Sequence, residues 1–108
     1  MRYSMLAYLT RMTQTLLEAA EYLASIPDKD PLRAELLENG RRMLGQIQEE
    51  LERHKADLRT GRPVELLGRA QALWETSGAG LVPALQAFAL CLQQEVRYQV
   101  RAVFFTGL

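Results

Sequence analysis

Residues 81–108 read LVPALQAFALCLQQEVRYQVRAVFFTGL, and this stretch decides the fold. From Leu81 to Leu92 only Pro83 and Gln86 interrupt an apolar run. A stripe of about 3.6-residue period then passes through Leu85, Phe88, Ala89, Leu92, Val96, Val100 and Val103. Gln86, Gln93, Arg97 and Arg101 gather on the other side. A helix apolar around most of its girth at one end needs neighbours on several sides. The expectation is therefore a core helix over residues 82–105 that the rest of the chain covers.

Working outward, Ser77-Gly78-Ala79-Gly80 breaks a shorter helical segment over 63–76, whose apolar face holds Val64, Leu66, Leu67, Ala70, Leu73 and Trp74. Thr60-Gly61-Arg62-Pro63 separates it from its predecessor. Gly61 suits a left-handed helix end and Pro63 a new first turn. Residues 31–59 carry a heptad seam through Leu37, Gly40, Leu44, Ile47, Leu51, His54 and Leu58. Glu38 with Arg42, and Glu49 with Arg53, are acid-before-base pairs on its outer side. Glycine inside a helix costs about 0.5–1 kcal/mol relative to alanine, so Gly40 on the seam points to close approach of another helix backbone, with a local kink as the alternative. Asp30 and Pro31 form a helix start, the one accepting from free N–H groups and the other needing no donor. Residues 3–26 give the cleanest period of all: Met5, Leu9, Met12, Leu16, Ala19, Leu23 and Ile26, with no Gly or Pro before Pro27.

The fold class predicted is all-α: an antiparallel four-helix bundle, one domain over 1–108, with three long helices and a short third helix. At 1.5 Å per residue the long helices measure about 36–42 Å and the third about 21 Å. Two arrangements accommodate the mismatch. Residues 77–83 climb as an extended strap, or the last helix is displaced and projects beyond its neighbours. Either way some apolar seam is left without a cover, and Phe104 and Phe105 are the expected place.

Thirteen basic and thirteen acidic residues cancel, so overall charge favours neither nucleic acid nor an anionic membrane. Eleven of the thirteen bases are arginine, which suits bidentate contacts with other protein. Cys91, the one cysteine, excludes an intramolecular disulfide and a multi-cysteine zinc site. It fits a reducing compartment. The N-terminus lacks the uniform apolar run of a signal peptide, and the run 81–92 is too short for a bilayer. The expected location is cytoplasmic.

Little in the sequence carries catalytic chemistry. His54 is the one histidine, and neither Glu-x-x-His nor His-Glu-x-x-His occurs. Cys91 sits among Ala89, Leu90 and Leu92, where an apolar setting raises a thiol pKa, and no activating cation is evident nearby in sequence. With no glycine-rich phosphate loop and no paired in-seam carboxylates, an enzyme is not expected, and neither is a metal or cofactor. The best expectation is a non-enzymatic protein–protein interaction module, an adaptor, chaperone-like or regulatory protein. It self-associates, as a dimer, through Tyr3, Tyr8, Val100, Phe104, Phe105 and Leu108. One alternative is a small apolar ligand among Met12, Met43, Trp74 and Phe88. Another is an anion or nucleic acid at the basic corner of residues 53–69, with Arg53, Lys55, Arg59, Arg62 and Arg69. Nucleic acid is disfavoured, because aromatic interleaving is sparse and no binding motif occurs.

Overall fold

A computed structural model describes the backbone of residues 3–106 and the side chains of residues 4–103. Four helices account for nearly all of it: α1 (Tyr3–Ser25), α2 (Pro31–Arg53), α3 (Arg62–Thr76) and α4 (Leu81–Thr106). A single 3₁₀ turn, Lys55–Asp57, follows α2. The helices form an antiparallel ring in chain order, and α4 closes it against α1. The all-α bundle with a short third helix is thus what the sequence folds into.

Polar contacts fix the register. Arg33 Nη1 donates to the Leu23 carbonyl at 3.2 Å, tying the start of α2 to the end of α1. Trp74 Nε1 donates to Leu37 O at 2.9 Å, and Gln71 Nε2 to Gln48 Oε1 at 2.9 Å, so α3 runs back along α2. Ala20, Leu23 and Ala24 of α1 share a depression with Leu81, Val82 and Pro83, which puts the start of α4 beside the end of α1.

The core is one cluster drawn from all four helices, with Leu9, Leu16, Leu44, Ile47, Leu67, Trp74, Leu85, Phe88 and Leu92 almost wholly buried. The seam read for α1 is too narrow. Leu6, Thr13, Leu17 and Ala20 are buried beside it, because a helix in a ring turns one flank to each of two neighbours. Thr13 keeps its hydroxyl satisfied there by donating to Leu9 O at 2.8 Å. Nor is α4 a central helix. It packs on α1 and α3, while Gln86, Leu90, Arg97 and Arg101 face solvent. Leu90 is 59% exposed.

Three local expectations are corrected. The second helix ends at Arg53 instead of 59: His54 leaves helical geometry (φ −116°, ψ 16°), and the Asp57 and Leu58 amides turn to the carbonyls of His54 and Lys55. Beyond it the Arg59 amide is taken by Glu95 of α4, a bond that a continued helix would forbid. Gly61 is not left-handed (φ −81°); it precedes α3 and its carbonyl accepts from Glu65 N at 3.2 Å. On the outer face of α2, Arg41 pairs with Glu38 and with Glu75 of α3, and Arg53 pairs with Glu50. These replace the Glu38–Arg42 and Glu49–Arg53 pairs. The Asp30–Pro31 start is as read, with Asp30 Oδ1 accepting from Leu32 N at 2.9 Å.

The length mismatch resolves with neither a strap nor a displaced helix: α4 starts level with the end of α1, and the 54–61 connection lies against α4 beyond the end of α2. Residues 77–80 make a tight turn, with Ser77 (φ 49°) and Gly80 (φ 97°) both left-handed, so α4 begins at once instead of after a strap. Its 26 residues, about 39 Å of helix, then run past the end of α2. The molecule measures 57 × 21 × 19 Å, longer than any one helix.

Candidate functional site

The end of the bundle where α2 gives way to α3 is built around Glu95. This residue occupies an inward position of α4, one turn after Leu92, and is only 3% exposed. Its Oε1 accepts from the backbone N–H of Arg59 at 2.9 Å. One turn further along α4, Gln99 Nε2 donates to Asp57 O at 3.2 Å. These two bonds fasten the 54–61 connection across α4. Leu58 packs against the core from the same segment.

Fastening the backbone at Arg59 sends its side chain over the outer side of α4. The guanidinium carbon lies 5.2 Å from the centroid of the Tyr98 ring, a cation–π contact. Arg59, Tyr98, Gln94, Arg97 and Arg101 together line a depression of about 240 Å³. Arg97 also borders the groove between α1 and α4, with Ala7, Thr10, Arg11, Gln93 and Val96. Arg59, Arg97 and Arg101 form no ion pair with any acid among the described residues. Of the acids at this end, Glu50 pairs with Arg53 at 2.7 Å and Glu52 with Lys55 at 3.4 Å, Asp57 lies beside His54 Nδ1 at 3.8 Å, and Glu65 is exposed on the first turn of α3. Glu95, the only acid of α4, faces inward. A neutral chain therefore carries a locally basic surface here.

On the opposite side of α4 the apolar stripe runs past the end of α2. Leu85, Leu92, Val96 and Val103 recur at spacings of seven, four and seven, which keeps them on one side of a helix. Leu85 and Leu92 are fully buried, Gln99 reaches the 54–61 connection, and Val103 is 70% exposed. Of the residues expected at an interface, Val100 is half-buried on α4 and Tyr8 is exposed on α1. Leu108 and the side chains of Tyr3, Phe104 and Phe105 lie outside the described residues.

The basic corner read as one cluster is divided. Arg53 and Lys55 are neutralised by neighbouring glutamates, and Arg69 lies on the exposed side of α3. Lys55 and Arg59 line a depression of about 420 Å³ with Glu52, Leu58, Thr60, Gly61 and Val64. Arg59 alone of the five joins the arginines of α4. The sequence held a signal for this grouping: Glu95 stands one turn after Leu92 as the only acid of α4, and an acid at an inward position needs a donor.

Cys91 is half-buried on α4, and burial raises its thiol pKa. Arg62 and Arg59, cationic neighbours not evident in sequence, pull the other way less strongly, while Glu95 adds to the rise. His54 is half-buried between Glu50 (3.7 Å) and Asp57 (3.8 Å). Among the described residues no group of three or more His, Cys, Asp or Glu side chains could hold a metal ion. Met12, Trp74 and Phe88 pack in the core with Met43 beside it, and they line none of the depressions named above.

No family model, curated protein or solved structure matches this chain. No helix among the described residues is long and apolar enough to cross a membrane.

Proposed function

We propose that this protein is a non-enzymatic interaction module that pairs with a second copy of itself through the C-terminal end of α4. The observation that supports this reading is the exposure of Val103 on the same stripe that fills the core with Leu85 and Leu92. A second copy is the natural cover. In a two-fold contact each patch meets itself, which an apolar stripe tolerates and a charged one does not. Arg97 and Arg101 lie on the other side of α4 from Val103, so such a contact brings no arginine onto its equivalent. Phe104 and Phe105 follow Val103 within the last turn of the helix. The assembled dimer then serves as an adaptor, chaperone-like or regulatory protein for another chain.

Light scattering after size exclusion tests this at several loading concentrations. Wild type is expected at twice the 12.3 kDa chain mass, and Val103→Glu at the chain mass with unchanged helical circular dichroism. Phe104→Glu with Phe105→Glu should behave like Val103→Glu. A wild-type monomer at every concentration removes the reading.

A further inference from the structure

We propose that the depression formed by Arg59, Gln94, Arg97, Tyr98 and Arg101 is a binding site for the dianionic phosphate group of a small phosphorylated molecule. It lies on the far side of α4 from Val103 and does not depend on dimer formation.

Three features make this a built site, where scattered solvated arginines would show none of them. Arg59 enters from the 54–61 connection, while Arg97 and Arg101 stand one turn apart on α4, so two separate parts of the chain converge. Arg59 is held at both ends, its amide by the buried Glu95 carboxylate at 2.9 Å and its guanidinium by the Tyr98 ring. That restraint reduces the side-chain ordering a ligand would have to induce. Finally, the neutralising partners expected at a surface are missing. No described acid pairs with any of the three arginines, although the neighbouring Arg53 and Lys55 both find one.

The chemistry of the lining selects the ligand. Guanidinium groups present paired N–H donors that match phosphate oxygens bidentately, and three of them exceed what a single negative charge requires. Gln94 and Tyr98, residues whose side chains can donate without carrying charge, also line the depression. A volume of about 240 Å³ holds a phosphate and a modest organic group. One face of Tyr98 is already covered by Arg59, which leaves poor stacking for a run of nucleic-acid bases.

The test is a titration of isotope-labelled full-length protein at constant ionic strength, following the arginine Nε–H resonances by NMR. The probes are inorganic phosphate and O-phosphoserine, with chloride as the control salt. The expected result is saturable shifts at Arg59, Arg97 and Arg101 and none at Arg69. If O-phosphoserine binds more tightly than inorganic phosphate, the physiological ligand is an ester; if equally, free phosphate suffices. Arg97→Gln with Arg101→Gln should weaken binding about tenfold or more. Arg97→Lys with Arg101→Lys, which keeps the charge, should retain part of it. Shifts that grow linearly and alike at Arg69 and Arg97 overturn the proposal, as does unaltered phosphate affinity in the double glutamine variant. Saturable binding of a single-stranded oligonucleotide with no response to either small phosphate also overturns it.

Discussion

The six-membered ring of Trp74 lies directly on Gly40. A Cβ built there would fall inside the van der Waals envelope of Cε2, Cζ2 and Cη2. The close neighbour expected at Gly40 is therefore an indole from α3, not a helix backbone. Gly40→Ala gains about 1 kcal/mol of helix propensity and must displace a fully buried ring, an overpacking cost of about 1–3 kcal/mol. The prediction is net destabilisation in urea unfolding, larger in wild type than in a Trp74→Phe background, where the smaller ring leaves room. A neutral or stabilising Gly40→Ala would show that the indole shifts freely.

Trp74 also joins α3 to α2 through its N–H, which donates to the Leu37 carbonyl at 2.9 Å. Trp74→Phe loses that bond and leaves unfilled volume, and about 2 kcal/mol of destabilisation is expected. In wild type the indole should emit at short wavelength and resist quenching by acrylamide, as its 0% exposure requires. Emission typical of a solvated indole would contradict the packing of α3.

The sequence made the helices legible because burial repeats on each at helical spacing, and because Asp30, Pro31, Pro63 and the 77–80 segment punctuate them. What it left unread depends on which helix meets which. The connection that ends α2 is held by Glu95, 36 residues beyond the amide it binds, and periodicity carried the seam on to Leu58 regardless. The basic corner looked continuous along the chain, yet glutamates one turn away neutralise Arg53 and Lys55. The arginines that do converge come from two separate parts of the chain. Only a register between helices places Arg59 beside Tyr98, and local pattern does not encode that register.

The α3–α4 turn tests how much the immediate start of α4 depends on backbone conformation. Gly80 holds φ 97°, where an L-residue is strained, with open space around its missing side chain. Gly80→Ala should therefore destabilise through the backbone alone, by about 1–2 kcal/mol. Ser77, left-handed without being glycine, should gain from Ser77→Asn, a residue better suited to that region. Thermal melting of both variants checks the pair. Opposite signs are expected, and a harmless Gly80→Ala would mean the turn relaxes to another form.

Cys91 links burial to alkaline stability. Burial raises its thiol pKa in the folded chain, while the unfolded chain titrates near the ordinary value of about 8.5. Below that value both states keep the proton and nothing differs. As pH rises through the window between the two, the unfolded chain gives up its proton first, so stability is lost. Urea unfolding between pH 8 and 10 should show wild type declining faster than Cys91→Ala. Alkylation by iodoacetamide at pH 8.5 should be slower than for an unstructured cysteine peptide. Arg62→Ala should slow it further, because the arginine favours the thiolate. Faster alkylation in Arg62→Ala would reverse the assignment.

Glu95→Ala asks whether one buried carboxylate shapes the open end of the bundle. The substitution removes the acceptor of the Arg59 amide and the charge that strengthens that bond, for an expected loss of about 1.5–3 kcal/mol. Glu95→Gln keeps an oxygen acceptor and should lose less. Both effects are local in origin, so hydrogen exchange is the sharper measurement. In Glu95→Ala the Arg59 amide should exchange much faster, while amides at the centre of α1 change only with global stability. With the backbone released, Arg59 should also leave Tyr98, and the Tyr98 ring resonances should move toward solvent-exposed values. An Arg59 amide equally protected in wild type and Glu95→Ala would mean that the 54–61 connection holds its shape without the carboxylate. The restraint on Arg59 would then rest on the tyrosine alone.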